Sequence, residues 1–255
     1  MPPANIEDAP DAPDAPDATV KQVGVPESSF RLPLELGVLN SVHVDLRPLR
    51  FCLKRVIDIL GAVALASFAA PLLVSIALVI WLQGDGGPVL FRQQRIGRGG
   101  RPFTCLKFRS MRLNSELLLY DLLARDERAR AEWMATHKLR NDPRILGVGM
   151  FLRSTSIDEL PQLWNVLVGD MSLVGPRPVT QAELDGPYTE FDGNRQYLAI
   201  RPGLTGLWQV SGRSTVSYRS RVEFDKIYVR DLSLLGDALI LWQTIWVVLS
   251  REGAC

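Results

Sequence analysis

The feature that most constrains this chain is an apolar run at residues 59–82 that contains no charged side chain. At about 1.5 Å of helical rise per residue, such a run is long enough to cross a hydrocarbon layer of about 30 Å. A transmembrane helix is therefore the plain interpretation. A helix buried in a protein core is a weaker one, because the uncharged run is so long.

Two features favour a re-entrant hairpin over a spanning helix. Pro71 lies near the middle of the run, where it removes a backbone hydrogen bond and kinks a helix. Cationic residues flank both ends, and a spanning helix would put one of these clusters on the outer face, against the positive-inside tendency. We therefore predict that residues 51–83 form a helix-break-helix hairpin with its break at Pro71. The flanking cations are Lys54 and Arg55 before the run and Arg92, Arg95, Arg98 and Arg101 after it.

The first fifty residues are polar and carry the repeat DAPDAPDAPDA at residues 8–18. This acidic, proline-punctuated segment has almost no large apolar groups, so it cannot bury enough surface to offset its chain entropy. Residues 1–50 are predicted to be a disordered tail. They do not resemble a signal peptide, because no positive n-region is followed by an apolar h-region.

Charge and cysteine usage argue against several classes of function. The formal net charge is +1, which does not indicate a nucleic-acid partner. The three cysteines are widely spaced, without the spacing of a zinc or redox motif or a disulfide framework. The two histidines lie far apart and have no ligand-like partners nearby in the sequence.

The rest of the chain predicts an α+β domain, mainly helical with small β elements, over residues 84–255. Residues 84–111 alternate short apolar stretches with glycines and arginines, which indicates turns and short strands. Residues 114–139 are predicted to be a solvated amphipathic helix. Residues 232–249 are strongly apolar, and Trp242 and Trp246 share one helical face, which is typical of a helix in the membrane interface. A core helix is an equally open alternative there.

Two adjacent carboxylates stand out in the block at residues 152–178. The sequence Ser156-Ile157-Asp158-Glu159 has the form of a capping box and predicts a helix that begins near Ser156. The first turn of such a helix favours negative charge, so both carboxylates have a purely structural interpretation. The free N–H groups of the same turn could also hold a phosphate. Neighbouring helical residues project about 100° apart, so the two carboxylates are expected to have different tasks if both act.

Cations from separated segments favour a catalytic role for the two carboxylates over a purely structural one. Arg153 precedes the carboxylate pair, Arg177 lies between two prolines, and Lys107 and Arg109 come from an earlier stretch. Each of them alone is more often a surface residue. Together with two carboxylates they suit a diphosphate substrate and a divalent ion.

A series of motifs in one order resembles the bacterial polyprenyl-phosphate hexose-1-phosphate transferases, the monotopic phosphoglycosyl transferases that start glycoconjugate and exopolysaccharide assembly. The resemblance covers about four-fifths of the chain. The motifs are Lys54-Arg55-x-x-Asp58, Gly87-Pro88-Val89, Gln94-x-x-Gly97, Lys107-Phe108-Arg109-Ser110-Met111, Asn141-Asp142-Pro143-Arg144, Arg153, Asp158-Glu159-Leu160-Pro161-Gln162, Gly169-Asp170-Met171-Ser172-Leu173-Val174-Gly175-Pro176-Arg177-Pro178, Arg201-Pro202-Gly203-Leu204-Thr205-Gly206, Gln209 and Gly212-Arg213.

The resemblance implies a reaction in two steps. Asp158 would attack a UDP-sugar, expel UMP and carry a phosphosugar, which undecaprenyl phosphate would then accept. Glu159 would be the partner carboxylate, and Mg2+ near Asp158 would neutralise phosphate charge. The expected substrate-binding residues are Lys107, Arg109, Arg153, Gln162, Pro176, Arg177 and Arg213.

The resemblance also implies a setting. We expect a monotopic protein with interfacial amphipathic helices on the cytoplasmic face of the bacterial inner membrane, with membrane lipid, a second copy and downstream glycosyltransferases as further partners. Larger members carry extra transmembrane helices and a nucleotide-binding-like domain, so this chain is expected to be a short, catalytic form. Residues 138–144 resemble members that use glucose or galactose. Two alternatives stay open: a glycosyltransferase that releases UDP, and a non-catalytic membrane scaffold.

Overall fold

The structure, a computed structural model, describes residues 47–83, 86–136, 139, 142–212 and 216–250. The predicted disordered tail lies outside these residues, apart from residues 47–50, which are already helical. The described chain is mostly helical with two small two-stranded sheets, which confirms the expected balance of helix and strand. Single turns of other helix types occur at Arg98–Gly100, Ile157–Glu159 and Leu184–Tyr188.

The helices are α1 (Arg47–Leu82), α2 (Ser115–Arg125), α3 (Glu127–Thr136), α4 (Gly149–Thr155), α5 (Gln162–Val168), α6 (Gln181–Glu183), α7 (Asn194–Ala199), α8 (Leu207–Val210), α9 (Tyr218–Arg230) and α10 (Leu234–Ser250). The strands are β1 (Leu90–Ile96), β2 (Pro102–Phe108), β3 (Ser172–Val174) and β4 (Gly203–Thr205).

The apolar run forms most of α1, which is one continuous helix through Pro71, so the predicted break at Pro71 is not confirmed. It is the one helix, among the described residues, that is long and apolar enough to cross a membrane. Only 17% of its most apolar window is buried inside the protein, so a soluble core helix is a poor description of it. Next to the proline, the Ser75 hydroxyl donates to the Pro71 carbonyl over 2.8 Å, a back-bond that often accompanies a bend.

Both halves of α1 pack against the rest of the chain. Ala62 in the first half is buried with Val166 of α5 and Leu173 of β3. Ile80 in the second half is buried with Leu152 of α4 and other apolar groups around the end of β2. The two ends of a 36-residue helix, about 54 Å long if straight, therefore contact the same folded body.

Buried polar groups fix the first half of α1, and we call them the anchor network: Lys54, Asp58, Ser172, Tyr228 and Asp237. Lys54 Nζ lies 2.7 Å from Asp237 Oδ2 and donates to the Val174 carbonyl. Asp58 accepts from the Ser172 hydroxyl and from the backbone N–H of Leu173. Tyr228 donates to Asp237, which ties α9 and α10 to the same point.

Arg55, next to the anchor network, caps α5. Its guanidinium donates to the Val166 and Leu167 carbonyls at 2.6 and 3.1 Å. These are among the last carbonyls of α5, where helical partners run out, and the Val166 carbonyl also accepts from the Gly169 N–H. The Lys-Arg-x-x-Asp motif therefore has a structural function.

Residues 86–111, the described part of the segment predicted to form turns and short strands, do so. Strands β1 and β2 pair antiparallel, with Leu90 opposite Phe108 and Ile96 opposite Pro102. Strands β3 and β4 pair in parallel, with Ser172 opposite Gly203. The glycine at 203 is required there, because a Cβ on it would lie 2.1 Å from the Gly175 nitrogen.

The prediction of one helix over residues 114–139 is wrong. The segment forms α2 and α3, with Asp126 between them in an extended conformation. The Asp126 carboxylate accepts from the backbone N–H groups of Arg128 and Ala129, so it caps the start of α3 and stops α2. The charged pattern predicted helix correctly but did not reveal this break.

The apolar segment near the C-terminus forms α10. The rings of Trp242 and Trp246 touch edge to face, 6.1 Å apart, which confirms that they share one face. Both are more than half exposed, at 59% and 60%. Asp237 and Ile240 on the other face are buried. Helix α10 therefore has one face in the core and one apolar face outside it.

Candidate active site

The capping box predicted at Ser156 does not form. Ser156 has a left-handed backbone with φ of 56°, and its N–H bonds back to carbonyls of α4, so it ends that helix. A single 3-10 turn, Ile157–Glu159, follows, and α5 begins only at Gln162. The sequence signal failed because the Glu159 side chain binds cations from elsewhere in the fold. A capping box does form at Thr180 and Glu183.

Glu159 lies between two cations. Lys107, near the end of β2, brings Nζ to 3.0 Å from Glu159 Oε1. Arg177, after β3, brings Nη1 to 3.2 Å from the same oxygen. Burial alone would raise the pKa of Glu159, but the charges of Arg177 and Lys107 outweigh it and lower the pKa to about 2. Glu159 is therefore a fixed negative charge that holds two cations in place.

The neighbouring carboxylate of Asp158 is held differently. No ion pair or side-chain hydrogen bond joins it to another described residue. Burial and the negative charge of Glu159 raise its pKa to about 6, although Lys107, Arg153 and Arg177 pull in the other direction. Asp158 is thus mostly ionised at neutral pH, unpaired and more basic than an ordinary aspartate. The two carboxylates therefore lie in different electrostatic environments.

A pocket opens beside this pair. Its lining comes from β1, β2, the segment after β3 and the turn Ile157–Glu159, which we call the dyad turn after its two carboxylates. The lining residues are Arg95, Cys105, Lys107, Glu159, Gln162, Arg177, Pro178 and Leu204. Three of the residues expected to bind substrate, Lys107, Gln162 and Arg177, are thus together. Three cations surround Asp158 and Glu159, namely Lys107, Arg153 and Arg177. This excess of positive charge suits a diphosphate.

The other expected residues lie around the pocket. Arg153 projects from α4 close enough for its charge to act on Asp158. Arg109 is buried, and its Nε donates to the Pro88 carbonyl over 2.6 Å, so its described contact is with the backbone. Pro176 is buried and accepts from the Gly203 N–H. Arg213 lies outside the described residues.

Arg95 lines the pocket, although we assigned it only to the cations that flank the apolar run. Its Nη1 lies 2.9 Å from Glu183 Oε2, and its side chain is largely buried. Cys105 is a further lining residue, and burial raises the pKa of its thiol, so the thiol is a poor nucleophile. The alternation of β1 and β2 could have indicated which side chains share a face, but not that this face meets Glu159.

A magnesium ion would find few protein ligands here. Within the described ranges, no group of three or more His, Cys, Asp or Glu side chains could hold a metal ion. Glu159 is bound to two cations, which leaves the Asp158 carboxylate as the available oxygen ligand. Mg2+ commonly binds through one or two carboxylates, substrate phosphates and waters. The residues therefore fit an ion that arrives with a diphosphate.

Comparison with known proteins identifies the family. Residues 49–251 match the model of the family described as bacterial sugar transferase. The chain belongs to the bacterial sugar transferase family. Relatives of this sugar transferase include the UDP-galactose-lipid carrier transferase of Erwinia amylovora, which is 52% identical over 202 residues. That match covers 79% of this chain and 41% of the relative.

Two further relatives are covered over more of their length. The exopolysaccharide production protein ExoY of Rhizobium meliloti is 44% identical over 229 residues, which are 89% of this chain and 96% of ExoY. The UDP-glucose:undecaprenyl-phosphate glucose-1-phosphate transferase of Caulobacter vibrioides is 41% identical over 223 residues, 86% of this chain and 75% of the relative. The sugar transferase thus spans about two fifths of some relatives and nearly all of ExoY.

Proposed function

We propose that this sugar transferase moves a hexose 1-phosphate from a UDP-sugar to undecaprenyl phosphate, with Asp158 as nucleophile and UMP as the first product. The observation that carries the proposal is the contrast within the carboxylate pair. Glu159 is bound to Lys107 and Arg177, whereas Asp158 is half-buried and unpaired and has a pKa raised to about 6. Perturbed, unpaired carboxylates beside a cationic pocket are typical of catalytic sites.

In the first step, an Asp158 carboxylate oxygen attacks the phosphorus that carries the hexose. A phosphorus–oxygen bond to Asp158 forms, and the bond from that phosphorus to the bridging oxygen breaks. The electron pair leaves with UMP, so no proton has to move. Lys107 and Arg177 are held at the pocket by Glu159 and stabilise the charge that develops on the phosphoryl oxygens.

In the second step, an oxygen of undecaprenyl phosphate attacks the same phosphorus. The bond to Asp158 breaks, the carboxylate is regenerated, and a diphosphate-linked lipid sugar leaves. A modestly raised pKa suits both steps, because Asp158 stays ionised near neutral pH yet is basic enough to attack. Glu159, with its pKa near 2, positions the cations and does not carry a proton.

A bound Mg2+ would neutralise phosphate charge and favour departure of UMP. Asp158 is the protein ligand we assign to it, together with phosphate oxygens of the donor. The unpaired carboxylate supports this assignment, since Glu159 is bound to Lys107 and Arg177.

The acceptor is a lipid, so the site has to lie at a membrane surface, and the surroundings of α1 support a re-entrant arrangement. Arg98, which follows the apolar run, lies 5.9 Å from the ring centre of Phe51, which precedes it. A single straight crossing would separate these residues by a bilayer. Both halves of α1 also pack on one body, which a helix that crosses the membrane away from that body would not do. We assign the turning point to Pro71.

Exposed apolar faces support the same arrangement. Large apolar side chains are exposed on three helices: Trp242 and Trp246 on α10, Trp164 on α5 and Phe151 on α4. Tryptophans with one apolar and one polar side are typical of the membrane interface. We assign the sugar transferase to the cytoplasmic face of the bacterial inner membrane, where it would start exopolysaccharide or other glycoconjugate synthesis, with a second copy and downstream glycosyltransferases as partners.

The reaction class is tested by product analysis. Purified protein in lipid nanodiscs receives undecaprenyl phosphate and, in turn, each member of a panel of UDP-sugars that includes UDP-glucose and UDP-galactose. We expect UMP and a diphosphate-linked lipid sugar in equal amounts. Release of UDP would identify a glycosyltransferase that moves the sugar alone, and no product with any donor would favour a scaffold.

The topology is tested with a membrane-impermeant maleimide on intact cells. Cys52 is exposed and precedes the apolar run, whereas Cys105 is buried. In a Cys255→Ser background, Cys52 and a cysteine introduced by Arg92→Cys should both resist labelling until the cells are opened. Labelling of either one from outside would mean that α1 spans the membrane.

A further inference from the structure

A second group of polar side chains lies beside the pocket and lacks partners within the described chain. The amide oxygen and nitrogen of Gln209 are both buried without a hydrogen-bond partner. The same is true of the indole N–H of Trp208 and of Nε and Nη2 of Arg221. Buried polar groups are almost always hydrogen-bonded, so several such groups in one cluster indicate a molecule from outside the chain.

Two aromatic rings and a carboxylate hold the Arg221 guanidinium of the cluster. The Arg221 guanidinium lies 4.8 Å from the ring centre of Trp208 and 4.8 Å from that of Tyr218. Its Nη1 lies 3.5 Å from Glu183 Oε1, and Tyr218 donates to the same carboxylate oxygen. The guanidinium is therefore fixed in orientation, while its Nε and Nη2 groups are buried without a partner among the described residues.

Two contacts connect the cluster to the phosphate pocket. Glu183, which holds Arg221, also holds Arg95, and Arg95 lines the pocket. On the other side, a Cβ on Gly206 would lie 2.7 Å from Gln209 Oε1 and 2.1 Å from the Gly175 carbonyl. Gln209 thus lies against the backbone that leads into Arg177. The cluster and the phosphate pocket therefore share Glu183 and the Gly175 backbone as neighbours, so a nucleotide with its phosphates at Lys107 and Arg177 would extend its ribose and base towards the cluster.

We propose that Trp208, Gln209 and Arg221 form the site for the pyrimidine base of the donor nucleotide. A glutamine amide presents one donor and one acceptor side by side, which complements the carbonyl and N–H of a uracil edge. Arg221 donates to a second carbonyl of the base, and Trp208 holds the guanidinium in place and offers its indole N–H. This site rests on the proposed function, because it presumes a uridine nucleotide in the pocket.

The test is UMP binding by calorimetry on the full chain in nanodiscs, without acceptor or turnover, beside donor kinetics. Gln209→Ala should weaken UMP binding and raise the donor KM by the same factor, about tenfold, for UDP-glucose and UDP-galactose alike. Trp208→Phe keeps a ring under Arg221 and should have a smaller effect of the same kind. Gln181→Ala, at an exposed glutamine that bonds only Asp185 among described residues, is the matched control and should change neither constant.

Each other outcome is decisive. A raised donor KM with unchanged UMP binding would assign the cluster to the hexose and overturn the proposal. A lowered melting temperature with both constants unchanged would mean that the cluster is only structural. Because UMP binding is measured without turnover, it stays interpretable even if product analysis finds UDP and the proposed reaction fails.

Discussion

The anchor network and the dyad turn both join a lysine to carboxylates, the first buried and the second half-buried, and they differ in how completely the charges are matched. Asp58 accepts hydrogen bonds from Ser172 and Leu173, and Lys54 is bound to Asp237 and to a backbone carbonyl. At the dyad turn, Glu159 is equally well bound, but Asp158 has no ion pair with any residue described.

The difference indicates which of the two regions contains the reactive group. A carboxylate buried without a partner costs free energy, and that cost is normally removed by pairing. The anchor network is paired throughout, so its charges stabilise the junction of α1 with α10. At Asp158 the cost is retained, and we attribute this to the proposed reaction, in which the carboxylate has to stay free to attack the donor phosphorus. Each of the following variants and treatments is expected to affect either the anchor network or the dyad turn, and not both.

The largest effect is expected from Asp158→Asn. The amide cannot attack phosphorus, so UMP release should fall by more than about 10³-fold. The melting temperature should not fall, because the variant removes no ion pair and relieves a buried charge. A variant with more than a few per cent of the wild-type rate would exclude Asp158 as the nucleophile.

Asp58→Ala disrupts the anchor network. It leaves the N–H of Leu173 and the Ser172 hydroxyl without their acceptor, while Lys54 keeps Asp237, and should destabilise the fold by about 2–4 kcal/mol. Chemical unfolding in nanodiscs measures this. The exposed Asp231→Asn is the control and should leave the melting temperature unchanged. If Asp58→Ala were as stable as wild type, the anchor network would not be the structural counterpart of the dyad.

Removal of divalent metal should lower catalysis at the dyad turn and leave the stability of the fold unchanged. Excess EDTA should lower the rate of UMP release by more than about 10²-fold, and added Mg2+ should restore it. The melting temperature should stay constant throughout, since the anchor network uses no metal. Full activity in EDTA would remove Mg2+ from the proposal.

The smallest effect is a shift in the acid limb of the pH profile. Because the pKa of Asp158 is about 6, kcat/KM at saturating Mg2+ should fall about tenfold for each pH unit below 6. Asp158 reacts when ionised, so the loss occurs as the pH falls through its pKa. Glu159→Gln removes a negative charge that raises this pKa, and the acid limb should therefore move to lower pH. A limb that stays in place would mean that another group titrates.

Much of the site could be predicted from sequence because its motifs are local. The segments with Lys107, Gln162 and Arg177 were recognised separately, and the fold brings all three to one pocket. The short strands over residues 84–111 and the shared face of Trp242 and Trp246 also follow from local periodicity.

The errors come from partners that are distant in sequence. Ser156 and Glu159 have the spacing of a capping box, but Lys107, 52 residues earlier, takes the carboxylate instead. The structural function of Asp58 depends on Ser172, 114 residues away, so no local pattern reveals it. The separation of the two dyad pKa values also depends on the folded positions of Lys107 and Arg177.

The most direct test of the central claim is mass spectrometry of the protein after incubation with a UDP-sugar and Mg2+ in the absence of undecaprenyl phosphate. We predict one phosphohexose on Asp158, one equivalent of released UMP, and loss of the adduct when the lipid acceptor is added. An unmodified Asp158 in protein that turns over normally, or an adduct on another residue, would contradict the account.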